Sequence, residues 1–154
     1  MRNWGLLVKS HFLLIVAIVK MKLNRDLIQY IGLFEKITRT GVKNCFFQGE
    51  CLVFVVVSGQ KSKAIGKNAV NVKKISSLIN KKVKIIEFNQ DPVKFINGYI
   101  YPVEAETVVN DNGVEVKVKS SKDKGLLIGR NRKNLDDLKS IVDYYFKIKN
   151  VKIV

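Results

Sequence analysis

Apolar residues along this chain follow helical and strand periods in an order that occurs twice. From Asn24 they recur at steps of three and four residues until Gly41, which predicts a helix that Asn24 caps and Gly41 ends. Residues 42–47 and the continuously apolar run 51–57 predict two strands, of which the second is buried on both faces.

A short helix over residues 61–65 is predicted next, followed by a glycine turn at Gly66. The helix beyond this turn has one apolar stripe, and a strand is predicted over residues 83–88. The first unit therefore reads helix, strand, strand, short helix, glycine turn, helix, strand. The stripe consists of Val72, Ile75, Leu78 and Ile79.

The second unit repeats this order. Asp91 is predicted to cap a short helix with Pro92 at its first position, where the missing amide costs nothing. Strands are predicted over residues 103–109 and 114–118, around a strong hairpin turn at residues 110–113. The unit then continues with a short helix (122–128), the turn at Gly129, a longer helix and a final strand (151–154). The apolar stripe of the longer helix consists of Leu135, Leu138, Ile141, Val142 and Tyr145.

A nine-residue segment at the glycine turns is an internal repeat. Residues 64–72 recur sixty-three positions later as residues 127–135, with an apolar pair, a glycine, a cation and two asparagines in register. A glycine lets a polyanion approach the backbone, and a helix that begins after it offers unpaired amides. Since Lys67 and Arg130 follow the two glycines, both turns suit a phosphate backbone.

The charge of the chain indicates an anionic partner. Its 154 residues suffice for one ordinary domain or two very small ones, and 28 Lys and Arg against 13 Asp and Glu leave a net charge of +15. RNA, DNA and an acidic membrane are the candidates. The alternatives are a merely soluble basic surface and a genome that favours lysine codons.

Residues 1–20 do not match the two units. Their longest apolar run, residues 12–19, is too short to span a bilayer, and no small-residue cleavage site follows it. We therefore expect no membrane span. Met21 is a plausible true start, which would make residues 1–20 an artefact; a packing extension and a membrane anchor are the alternatives.

Side chains suited to metal binding or catalysis are few. Cys45 and Cys51, with His11 as the single histidine, do not match zinc spacings. They are expected to be buried thiols in a reducing, cytoplasmic compartment, or at most neighbours across a hairpin. Glu104 and Glu106 share a strand face and are expected to be solvated. We predict no enzyme activity, no cofactor, no metal and no small-molecule substrate.

This element order, with a glycine turn between two helices, resembles the KH domain of the prokaryotic (type II) topology. The resemblance covers the chain in tandem, with one domain over residues 21–89 and the other over residues 90–154. It implies an α+β fold in which each domain has a three-stranded sheet packed on helices. The short archaeal form of the NusA transcription factors, which is little more than two KH domains, is similar. The segments that carry the resemblance are residues 54–57, 64–68, 91–96 and 123–131.

The resemblance implies binding of single-stranded RNA, with a Gly-x-x-Gly loop holding the backbone of about four nucleotides in each domain. Both loops depart from this pattern at the last position, where Ala69 is tolerated if it has entered the helix and Arg132 is expected to alter or weaken binding. Base reading is expected in a groove between the helix after the turn and a strand edge. The expected RNA-binding residues are Gly66, Lys67, Asn68, Ala69, Val70, Val72 and Ile86 in the first unit, and Gly129, Arg130, Asn131 and Arg132 in the second.

The function that the resemblance implies is transcription termination or antitermination on nascent RNA, with RNA polymerase as a partner. Only Asn89 and Gln90 lie between the final strand of the first unit and the helix capped by Asp91, so we expect that the two domains cannot tumble independently and that two weak sites act together. The alternatives are a ribosome-associated RNA-binding protein, a KH scaffold that contacts only proteins, and a membrane-surface protein.

Overall fold

The structure, a computed structural model, describes residues 25–154. The expectations for residues 1–20, for a start at Met21 and for capping by Asn24 lie outside the described residues. The chain divides into two compact units, and the boundary falls between Phe88 and Asn89.

The first unit has the order helix, two strands, two helices and a strand. The helix α1 (Arg25–Thr38) leads into β1 (Val42–Gln48) and β2 (Cys51–Val56), which pair as an antiparallel hairpin. The short helix α2 (Lys61–Ile65), a single 3-10 turn (Lys67–Ala69) and α3 (Val70–Ile79) follow, and β3 (Lys82–Glu87) ends the unit. The sheet order is β1-β2-β3.

The second unit repeats this order element by element. Its elements are α4 (Pro92–Ile100), β4 (Ala105–Asn110), β5 (Gly113–Val118), α5 (Ser121–Ile128), a 3-10 turn (Arg130–Arg132), α6 (Lys133–Phe146) and β6 (Val151–Ile153). The sheet order is β4-β5-β6, with β4 antiparallel and β6 parallel to β5. The prediction of an α+β fold with two three-stranded sheets packed on helices is confirmed.

The sheet topology fixes where the glycine turns lie. β2 and β3 are parallel, and a parallel pair cannot be joined by a tight hairpin. The connection is therefore a crossover that consists of α2, the glycine turn and α3 in the first unit, and of α5, the turn and α6 in the second. Each turn thus lies between two helices that are anchored to a sheet.

The core of the first unit lies between its sheet and its helices. Phe34 of α1 stacks on Phe54 of β2 with ring centroids 4.1 Å apart, and both side chains are fully buried. Because residues 52–56 are all buried, the prediction that the second strand has no wet face is confirmed. In the second unit Phe95 of α4 is fully buried and packs edge-on against Tyr145 and Phe146 of α6, each at 5.6 Å.

Several local predictions are confirmed. Asp91 caps α4, accepting a hydrogen bond from the Val93 amide at 3.0 Å, with Pro92 in the first turn. The hairpin turn at residues 110–113 joins β4 to β5. No larger residue fits in place of Gly113, because an added Cβ would overlap Asn150. The bounds of the other helices and strands agree with the sequence-based expectations to within two residues.

Two expectations are wrong. Leu78 does not belong to the buried stripe of α3, since its side chain is 58% exposed. At 100° per residue Leu78 lies about 60° to one side of the buried Ile75, whereas Val72 and Ile79 lie on the other side, where α3 packs. The two cysteines are not neighbours across the hairpin, because Cys45 lies opposite Phe54 and Cys51 lies opposite Gln48. Both thiols are free.

Candidate nucleic-acid interface

The two glycine turns have nearly the same backbone conformation. Gly66 has φ 78° and ψ 167°, and Gly129 has φ 74° and ψ 174°. Two residues later Asn68 (φ 55°, ψ 31°) and Asn131 (φ 55°, ψ 30°) are both left-handed. The sequence repeat is therefore also a repeat of backbone geometry.

The last residue of each loop is left-handed as well, which corrects one expectation. Ala69 has φ 58° and ψ 31°, so it has not entered α3 but forms the residue before it. Arg132 has φ 61° and ψ 20° at the matching position. A left-handed conformation costs an L-residue roughly 1–2 kcal/mol, which explains why glycine suits this position. Both loops adopt the bend without that glycine.

An asparagine in each following helix stabilises the bend. The side-chain amide of Asn71 donates to the carbonyl of Lys63 at 3.2 Å, and that of Asn134 donates to the carbonyl of Leu126 at 2.9 Å. A Cβ added to Gly66 would lie 2.9 Å from Asn71 Nδ2. The asparagine therefore ties α3 back to α2 across the space that the glycine leaves open. Sequence reasoning saw both asparagines in the repeat but assigned them no role.

The first loop is exposed and surrounded by cations. The side chains of Lys67 and Asn68 are exposed, as are those of Lys63 on α2 and of Lys73 and Lys74 on α3. No side chain caps the start of α3, and its first turn contains no acidic residue. The Val70 amide donates to the Lys67 carbonyl, whereas the amides that follow it in the first turn have no acceptor within the helix, so this end of α3 combines amide dipoles with lysine charges. Such a surface attracts anions.

The second loop has more cations within it but acids beyond it. Arg130, Asn131, Arg132 and Lys133 are all exposed. Asp136, in the first turn of α6, is also exposed, and Asp137 is half-buried. Burial raises the pKa of the Asp137 carboxyl, Asp136 acts in the same direction, and Lys133 lowers it.

An open groove of about 710 Å³ runs beside α3 in the first unit. One wall is the face of α3 that carries residues 72, 76 and 80, which lie one turn apart, and the other wall is the start of β2 and β3. The groove therefore has the expected place, between the helix after the turn and the sheet. It is lined by Cys51, Val72, Lys73, Ser76, Ser77, Asn80, Lys82 and Val83.

The three residues expected to read bases lie in different environments. Val72 is half-buried and lines the groove. Val70 is 54% exposed at the first position of α3, next to the loop. Ile86 is only 2% exposed in β3, opposite Val55, so its side chain does not reach the groove. Val83, at the start of the same strand, lines it instead.

The groove contains a thiol and two serines that sequence reasoning missed. Burial raises the pKa of the Cys51 thiol, while Lys84 and Lys82 act in the opposite direction. Ser76 donates its hydroxyl to the Lys81 carbonyl at 2.6 Å, which orders the end of α3. The helical spacing of residues 72, 76 and 80 was the signal that would have found this wall.

Residues 25–154 contain neither a candidate metal site nor a candidate membrane span. No group of three or more His, Cys, Asp or Glu in this part of the chain is arranged to hold a metal ion. Glu104 is exposed and pairs with Lys119 at 3.4 Å, as a solvated strand end does. None of the helices within these residues is long and apolar enough to cross a membrane.

Comparison with known proteins identifies the family. The model of the KH domain matches residues 28–104. The chain is 36% identical over 141 residues to the probable transcription termination protein NusA of Methanococcus vannielii, covering 88% of this chain and 81% of that protein. The chain belongs to the archaeal NusA-like family of KH-domain proteins.

A second relative and a solved structure are also similar to this chain. The probable transcription termination protein NusA of Methanocaldococcus jannaschii is 32% identical over 139 residues, which cover 88% of this chain and 76% of that protein. The crystal structure of APE1850 superposes with a TM-score of 0.60 at 23% identity, covering 85% of this chain and 99% of that chain. At this identity the superposition shows the fold alone. This NusA-like protein thus shares its KH architecture with a solved structure.

Proposed function

We propose that this NusA-like protein binds single-stranded RNA through the loops at residues 66–69 and 129–132. The observation that carries the proposal is the repeated loop: two segments far apart in sequence adopt one backbone bend, each with a cation directly after the glycine. Turns of this kind present backbone N–H groups to anions, and KH loops hold the nucleotide backbone in this way.

In the first unit the groove beside α3 is proposed to receive the bases. Its floor is apolar at Val72 and Val83, while Ser77 and Asn80 offer a hydroxyl and an amide to base edges. Ser76 offers only its oxygen as an acceptor, since its hydroxyl donates to the Lys81 carbonyl. Single-stranded RNA exposes its Watson–Crick edges, whereas in an A-form duplex these edges are paired and the major groove is too deep and narrow for side chains to read. The first loop and the groove together therefore favour an unpaired strand.

The biological role that we propose is that of a transcription termination or antitermination factor that acts on nascent RNA with RNA polymerase. Its support is the name that the methanogen relatives carry, probable transcription termination protein NusA, over most of their length. The net charge of +15 agrees with a nucleic-acid partner. Two free thiols agree with a reducing compartment such as the cytoplasm.

RNA binding is tested with loop variants of the full chain. Lys67→Asp and Arg130→Asp, made separately and together, should weaken binding of a fluorescent single-stranded RNA, because each places a carboxylate where a phosphate is expected. Lys67→Arg and Arg130→Lys keep the charge and serve as matched controls. Binding should also fall with added salt, as counterion release requires. An unchanged affinity in the double variant would refute the loop assignment.

The transcription role needs its own measurement. We expect the protein to co-purify from its native host with RNA polymerase and nascent transcripts. Recovery with assembled ribosomal particles instead, at unchanged RNA affinity, would contradict the role in transcription and leave the loop assignment intact.

A further inference from the structure

The helices that follow the two loops have opposite charges at matching positions. In register with the repeat, Lys73 and Lys74 of α3 correspond to Asp136 and Asp137 of α6. The backbones of the two loops agree within a few degrees at the glycines and asparagines, so the two sites are comparable residue by residue. The second site has Arg132 and Lys133 where the first has Ala69 and Val70, but it has two carboxylates where the first has two lysines.

Lys73 and Asp136 are placed to act on a strand bound at the loop. Each is the fourth residue of its helix, so it lies about 4.5 Å along the axis from the helix start that adjoins the loop. The Cα–Cβ bonds tilt back toward the start of the helix, so both side chains extend toward the loop. Both are exposed, and among the described residues no ion pair neutralises either.

The surrounding charge differs in the same sense. Residues 25–88 contain twelve Lys and Arg against four Asp and Glu, whereas residues 89–154 contain twelve against nine. In addition, Asp136 lies in the first turn of α6, where a carboxylate satisfies the helix dipole, and the first turn of α3 has no such residue. The helix dipole at the start of α3 therefore has no carboxylate beside it, while that of α6 has Asp136.

Resting on the proposed function, we infer that the two loops bind the RNA backbone unequally. The first loop and Lys73 form the main phosphate contact, and Asp136 restricts the second loop to the phosphates that Arg130 and Arg132 reach. Charges separated by less than a Debye length, about 10 Å at 0.1 M salt, remain incompletely screened, so one carboxylate a turn away opposes the loop cation directly. Lys73 and Asp136 thus determine how the affinity for the RNA backbone is divided between the two loops.

The test exchanges the two charges in the full chain and measures binding of a fluorescent single-stranded RNA. Lys73→Asp should weaken binding roughly five- to tenfold at low salt, and Asp136→Lys should strengthen it about two- to fivefold. The dependence of log affinity on log salt should lose about 0.7 in slope with Lys73→Asp and gain a similar amount with Asp136→Lys, the value for one phosphate on a single strand. Thermal denaturation of both variants verifies that they are folded.

Matched variants separate this effect from net charge. Lys73→Arg retains the cation and should bind as the unmodified protein does. Asp111→Lys makes the same change as Asp136→Lys within the second unit, but at the β4–β5 turn, next to Asn150 beyond the far end of α6. Since α6 has 14 residues, this turn lies on the order of 20 Å from the loop. Asp111→Lys should therefore raise affinity much less.

The outcomes distinguish the inference from the function on which it rests. If the unmodified protein does not bind single-stranded RNA, the proposed function fails. If it binds and Asp136→Lys gains no more than Asp111→Lys, or if Lys73→Asp binds normally, RNA binding stands and the unequal division is overturned.

Discussion

Glycine and alanine should have opposite effects on stability at the two ends of the first loop. At Gly66 the conformation (φ 78°, ψ 167°) is one that essentially only glycine adopts, while three residues on Ala69 adopts a left-handed conformation that favours glycine. We therefore expect Gly66→Ala to lower the free energy of unfolding and Ala69→Gly to raise it. The two substitutions are the reverse of each other.

The magnitudes follow from the local contacts. Alanine at position 66 incurs about 1–3 kcal/mol of backbone strain and displaces Asn71, whose hydrogen bond to Lys63 contributes about 0.5–1.5 kcal/mol. A gain of roughly 0.4–1 kcal/mol from the stiffer unfolded chain offsets part of this, which leaves a loss of about 2 kcal/mol. For Ala69→Gly, relief of about 1–2 kcal/mol minus glycine's entropy of about 0.5–1 kcal/mol leaves a gain of up to about 1.5 kcal/mol.

Native-state amide hydrogen exchange is the suitable assay, because it reports the opening free energy of each unit separately. The protected amides of β2 should exchange faster in Gly66→Ala and more slowly in Ala69→Gly, with β5 unchanged. Gly32→Ala is the matched control, since Gly32 lies within α1 with nothing within 4 Å of an added Cβ, and it should stabilise by about 1 kcal/mol. A loss of stability in Ala69→Gly would refute the left-handed assignment.

Two further predictions concern titratable groups. Because Cys51 lines the groove and Cys45 is fully buried, single-stranded RNA should slow alkylation of Cys51 and leave Cys45 unreactive throughout. The modification is followed by peptide mass above neutral pH, since burial raises the Cys51 pKa. Equal rates of Cys51 alkylation with and without RNA would contradict the groove assignment. Burial also raises the pKa of Asp137, so the folded state holds this proton more tightly than the unfolded state does. The free energy of unfolding should therefore fall as pH rises from the unfolded pKa, about 3.9, through the raised value. Asp137→Asn should remove this fall in urea titrations at pH 4 and pH 7, and an Asn variant less stable than the unmodified protein at pH 7 would contradict the prediction.

The sequence was sufficient for the order of elements and the position of both turns. Apolar periods of two and of three to four residues extend along a whole strand or helix and can be read from the sequence alone. The helix cap at Asp91 with Pro92 depends only on neighbouring residues. The cation beside each glycine was likewise visible, because it needs no knowledge of packing. The repeated segment then linked the two units.

What sequence reasoning missed depends on contacts between elements. Alanine favours helices, so nothing in the residue type of Ala69 indicates a left-handed bend. The role of Asn71 depends on how α2 and α3 cross, because its acceptor lies eight residues back in the chain. The strand β3 has apolar residues on both faces, and only the packed sheet shows that Val83 borders the groove while Ile86 is buried.

The glycine turn is also part of the covalent connection between the two parallel strands of each sheet. We expect a deletion in this segment to shorten the path from β2 to β3 and to disturb their pairing. Binding properties in this fold can therefore diverge by substitution but hardly by loss or gain of length. The two copies show this: Lys67 and Ala69 in one are Arg130 and Arg132 in the other, within segments of equal length.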